Sequence, residues 1–93
     1  MEDRILTLHP DPSKQGVNID RTKYGLIRTT ILAALKEQGA LTLDQLNREV
    51  EIRLSGDFSG SIPWYVVTVK LDLEARQVIK RLPGSPHRVE LKE

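Results

Sequence analysis

Few residues in this chain have the type and spacing to do chemistry. His9 stands two positions before Asp11, close enough for imidazole and carboxylate to share a proton or one metal ion. A metal site needs three or four ligands, and with no cysteine the only other histidine is the distant His87. The prolines and glycine of His9-Pro10-Asp11-Pro12-Ser13-Lys14-Gln15-Gly16 make that stretch a turn-rich connector instead. His87 follows Pro86 in a second loop, where a protonated imidazole could meet a phosphate. Two glycines and three serines in residues 55–61 suggest anion binding by backbone amides at a helix start. The lysine of a phosphate-binding loop is missing, so a flexible connector is the better reading. Ser59, Ser61 and Thr68 have no flanking signature of an activated nucleophile. Asp72 and Glu74, beside Lys70 and Arg76, read as surface ion pairs. No enzyme, cofactor or metal centre is expected.

The elements that must position these residues belong to one small domain, since 93 residues lie below the length at which chains divide. Hydrophobic residues at 39% and charged residues at 29% are ordinary for a folded domain. The apolar runs at 31–35 and 62–67 are too short or too interrupted to span a bilayer, and the start Met1-Glu2-Asp3 does not resemble a signal peptide. A cytoplasmic protein without a membrane partner is expected. Without cysteine, the domain must be held by its core alone. Fourteen basic against thirteen acidic residues give a net charge of +1, without the strong excess of a dedicated nucleic-acid binder.

Arg4-Ile5-Leu6-Thr7-Leu8 reads as a short N-terminal strand, and Val17-Asn18-Ile19 alternates ahead of Asp20, a good helix N-cap. Tyr24, Ile27, Ile31, Ala34 and Leu35 then recur at helical spacing, with Gly39 as the stop. Thr42 and Gln45 form a capping box that opens a second helix, whose stripe is Leu43, Leu46, Val50 and Leu54. The stretch Trp64-Tyr65-Val66-Val67-Thr68-Val69 has strand-like composition. However, Ile62, Val66, Val69 and Leu73 keep helical spacing, which predicts a third helix over residues 62–76. Residues 78–82 and 88–92 read as two strands around Pro83-Gly84-Ser85-Pro86-His87. Trp64, Val67, Leu71 and Ala75 form a second stripe on the third helix, opposite the first. Its expected cover is the N-terminal strand, through Ile5 and Leu8, or a second subunit.

This order resembles the winged helix-turn-helix superfamily. The likeness rests on Gly39-Ala40-Leu41-Thr42-Leu43-Asp44-Gln45-Leu46, similar to its short first strand and entry into helix two. It rests also on Lys70-Leu71-Asp72-Leu73-Glu74-Ala75-Arg76-Gln77-Val78-Ile79-Lys80-Arg81, similar to a recognition helix running into the wing. His9-Pro10-Asp11-Pro12, Gly16-Val17-Asn18-Ile19 and Trp64-Tyr65 more narrowly resemble a small group of uncharacterised bacterial proteins of this architecture. The resemblance implies an α+β winged helix-turn-helix fold, with three helices, a C-terminal hairpin wing and an added N-terminal strand. Residues 1–19 would form strand and connector, 20–77 the three-helix core and 78–93 the wing.

In that superfamily the third helix commonly enters the DNA major groove while the wing touches backbone. The resemblance thus implies a DNA-associated transcriptional regulator bound to double-stranded DNA. Two departures stand against it. Gln77 occupies a position where these proteins often have glycine, and residues 41–77 carry four basic against six acidic side chains. The cations lie instead on the wing, at Lys80, Arg81, Arg88 and Lys92 with His87, and around helix one, at Arg21, Lys23 and Arg28. The alternative is a protein-interaction or dimerisation module that binds a protein partner or a second copy through Trp64, Val67 and Leu71.

Overall fold

The computed structural model describes residues 3–92. Strands β1 (Arg4–Leu6) and β2 (Asn18–Asp20) lead into helix α1 (Arg21–Gln38). Strand β3 (Leu41–Thr42), helices α2 (Leu43–Arg53) and α3 (Ile62–Ala75), and strands β4 (Ile79–Leu82) and β5 (Arg88–Leu91) follow. Local chemistry accounts for the helix starts. The Asp20 carboxylate accepts from the Lys23 amide at 2.9 Å. Thr42 and Gln45 close the capping box, with bonds of 2.9 and 3.2 Å, and Ser61 caps α3 ahead of Pro63. The end of α3 is also specific. The Gln77 amide donates to the Glu74 carbonyl and the Val78 amide to that of Leu73, while Gln77 itself adopts φ 62°. A glutamine thus stands in the left-handed position that usually selects glycine at a helix terminus.

The core lies where the three helices meet. Ile27, Ile31, Leu46, Val50, Val66, Val69 and Leu73 are all fully buried, with Tyr24, Ala34 and Leu35 completing the α1 face. The helical period of α3 therefore prevails over its strand-like composition, because these three helical stripes can bury one another. Ile79 and Val89 close the core from the C-terminal sheet, whose order is β3-β5-β4. Its antiparallel register pairs Leu41 with Val89, Ile79 with Leu91 and Arg81 with Val89. Opposed residues share a face, so Arg81 lies on the inner face with Ile79 and Val89, while Lys80, Glu90 and Arg88 lie on the outer one. No helix among the described residues is long and apolar enough to cross a membrane.

The N-terminal segment differs from the expected single strand. β1 ends at Leu6 and pairs with β2 in a two-stranded hairpin, Ile5 opposite Ile19. Beyond it, buried Thr7 zips the connector shut: its amide donates to the Val17 carbonyl at 2.8 Å, and its hydroxyl accepts from the Val17 amide at 2.9 Å. Gly16 lies against this contact so closely that a Cβ there would fall 1.7 Å from the Thr7 carbonyl oxygen. Gly25, inside α1, has open space around it. In chemical denaturation, Gly16→Ala is expected to destabilise by more than about 1 kcal/mol through displaced backbone. Gly25→Ala should stabilise by about 0.5–1 kcal/mol through helix propensity.

Candidate functional site

Helix α3 is the element on which the chemistry-bearing residues converge, and each of its sides has a separate role. Lys70 and Asp72, read from sequence as parts of surface ion pairs, are buried: 2% and 0% exposed. That correction follows from the partners supplied by other elements. Asp72 accepts from the Leu8 amide at 2.8 Å, from the Arg76 guanidinium at 2.9 Å and from the Tyr24 hydroxyl. A carboxylate so supplied with donors can be buried, whereas an unpaired one could not. Burial, followed by the Asp72 carboxylate, raises the Tyr24 phenol above its ordinary value.

The opposite side carries a second cluster. Glu74 accepts from Lys70 at 2.8 Å and from Arg81 at 2.9 Å, and its side chain is 7% exposed. Burial alone would raise this carboxyl, but the hydrogen bonds from Arg81 and Lys70 outweigh it and hold Glu74 below the usual glutamate value. His87 belongs to the same neighbourhood. Its Nε2 is buried without a hydrogen-bond partner. Desolvation, then repulsion from Arg81 and Lys70, lowers its pKa against the weaker pull of Glu74. The imidazole is therefore biased toward its neutral form, the reverse of what phosphate contact needs.

Between these clusters runs the outward stripe. Trp64 is 44% exposed, and Val67, Thr68, Leu71 and Ala75 are half-buried along the same helix. The Trp64 ring stands edge-on to Tyr65 at 5.0 Å, and Tyr65 in turn meets Phe58 at 5.0 Å. The expected internal cover does not reach Trp64. Because Leu8 is held at Asp72, the N-terminal segment sits beside the C-terminal end of the stripe. There Leu6, Leu8, Lys14, Gly16 and Ala75 line an open groove of about 580 Å³. Leu6 and Leu8 are themselves 62% and 43% exposed.

Residues 4–89 match a protein family described as a family of unknown function, DUF6958. The chain belongs to that family. No curated protein and no solved structure matches it. The DUF6958 match runs from the first residue of β1 into β5, so the hairpin, all three helices, the stripe and the groove fall within it.

Most of the cations expected to meet DNA have partners inside this domain. Lys80 pairs with Glu90 at 3.2 Å, Arg81 with Glu74 and Arg21 with Asp3 at 2.8 Å. Lys92 donates to the Gln77 carboxamide, and Lys23 lies 5.7 Å from the ring centres of Phe58 and Tyr65. Arg28 is half-buried and Arg88 exposed on the outer face of the C-terminal hairpin, neither with an ion pair among the described residues. His9 and Asp11 form a local turn, in which the Asp11 amide donates to His9 Nδ1 at 3.0 Å. Among the described residues no group of three or more candidate ligands could hold a metal ion. The inward direction of Arg81 was available from sequence, since it shares strand parity with Ile79.

Two tests follow from the clusters. Asp72→Ala should cost about 2–4 kcal/mol, because it leaves the buried Tyr24 hydroxyl and the part-buried Leu8 amide without their acceptor, and Tyr24→Phe a smaller amount of about 1–2 kcal/mol. The raised Tyr24 value means that its share of stability is present below about pH 10 and lost as pH rises through the folded value. Denaturation curves of the wild type should therefore fall above pH 10 more steeply than those of Tyr24→Phe. For His87, imidazole NMR shifts should titrate with a midpoint below the ordinary 6.5, moving upward in Arg81→Gln. Its contribution to stability is present above pH 6.5 and lost as pH falls through the folded value.

Proposed function

We propose that this chain is a winged-helix protein-interaction module that docks partners through the outward face of α3. The strand between α1 and α2 that pairs with a C-terminal hairpin supports the winged-helix reading, with α3 in the recognition-helix position and β4–β5 as the wing. One observation carries the functional choice. The stripe that a DNA-reading helix would present to the major groove is here Trp64, Val67, Thr68, Leu71 and Ala75, with no cation among them. Affinity for DNA comes largely from neutralised phosphates, and recognition requires donors and acceptors at base edges. An exposed tryptophan on an apolar strip suits a protein interface instead.

The cation pairing on the wing acts in the same direction, since Lys80 and Arg81 must leave Glu90 and Glu74 before meeting phosphate. Among the described residues, exposed Arg88 has no ion pair and Lys92 only a neutral carboxamide partner, and these two wing cations favour the DNA reading. Titration of labelled duplex fragments at low and at about 150 mM salt separates the two. The expected result is weak, sequence-indifferent binding at low salt that vanishes at the higher concentration. Binding that persists there and is lost in Arg88→Glu would assign the domain to DNA.

A further inference from the structure

We infer that the occupant of the α3 face is a second copy of this chain, packed antiparallel about a two-fold axis at the middle of the helix; this rests on the interaction-module reading and names its partner. The inference comes from the symmetry of the stripe. Trp64 and Ala75 share a midpoint between Val69 and Lys70, and Thr68 and Leu71 share the same midpoint. All four occupy one helical face, since their spacings are four, three and four residues. When α3 meets its own copy antiparallel, Trp64 therefore faces Ala75 of the other chain, and Thr68 faces Leu71. The largest side chain of the stripe meets the smallest and the second pair is intermediate, while Val67, whose counterpart about this midpoint is the buried Asp72, has no equivalent mate.

Shape and charge agree with that arrangement. Trp64 protrudes at one end of α3, held edge-on by Tyr65, while the open groove lies beside Ala75 at the other end, about 16 Å away along the axis. Leu6 and Leu8 supply the groove's apolar surface, on the side where an incoming indole would lie. Lys14 lines the groove and supplies its cation, while Arg76 at the helix end is held by Asp72. An aromatic face meeting that cation is favourable electrostatically. The stripe itself carries no charge to desolvate, and a net charge of +1 gives two copies little reason to repel. A contact built on one fourteen-residue helix and a hairpin flank is smaller than the roughly 800 Å² per partner of a standard interface, so the dimer is expected to dissociate in the micromolar range.

The full chain suits a direct test because it has one tryptophan and no cysteine. Sedimentation equilibrium from about 10 μM to 1 mM should show mass rising from one chain to two. Trp64 emission should move to shorter wavelength over the same range. Trp64→Ala should weaken association about thirtyfold or more. Ala75→Phe, which fills the receiving end and leaves the tryptophan in place, should weaken it at least about tenfold. Thr68→Cys, near the axis, should form a disulfide-linked dimer under mild oxidation, while Ser55→Cys in the exposed loop after α2 should not.

A chain that stays monomeric to 1 mM with no Thr68→Cys dimer overturns the second-copy inference. The interaction-module reading would then stand or fall on the DNA titration alone. A dimer indifferent to both Trp64→Ala and Ala75→Phe also overturns it, by assigning self-association to another face.

Discussion

One buried carboxylate ties the rest of this domain together. Asp72 has no exposure to water, yet it accepts hydrogen bonds from the backbone of the N-terminal segment, the phenol of α1 and a guanidinium on its own helix. Apolar packing of the three helices is non-directional and would tolerate sliding of α3 along α1. The Asp72 contacts are directional, so they fix the rotation and register of α3 as well as its proximity. They also bring Leu8 to the helix, which makes the groove at Ala75 a product of the same bond. An apolar residue at position 72 could pack there, but it could not hold a backbone amide in place.

The second cluster has a different consequence. Lys70 and Glu74 pair almost out of water and the half-exposed Arg81 joins them from the hairpin, leaving the outward stripe of α3 between two internally satisfied polar flanks. Charge that could have served an anionic ligand serves the attachment of the C-terminal hairpin. His87 lies against this attachment without a partner for its Nε2, so protonation would add charge where Lys70 and Arg81 already supply it. The fold thus commits Lys70, Arg76 and Arg81 to cohesion and keeps Trp64 outward.

Much of the architecture was legible because it is written at short range. The Asp20 and Thr42 caps act within three residues, and the Tyr24 to Leu35 stripe within four turns. The stripe from Trp64 to Ala75 was visible for the same reason. Burial of Lys70 and Asp72 was not, since it depends on Arg81, on Tyr24 and on a Leu8 amide that no side-chain pattern marks. The groove was hidden with it. Glycine at the end of α3 was a reasonable expectation that the chain avoids by placing Gln77 at positive φ and using its carboxamide as an acceptor for Lys92.

The bond from Leu8 to Asp72 spans 64 residues, and that distance orders the assembly in time. During synthesis the segment that holds Leu8 is made before α3, and its anchor appears only when most of this domain exists. Until then the Leu8 amide has no acceptor on α3, and Tyr24 has no carboxylate for its hydroxyl. Residues 6–8 are made well ahead of the helix that anchors them, so the connection through Asp72 can close only after synthesis has passed α3.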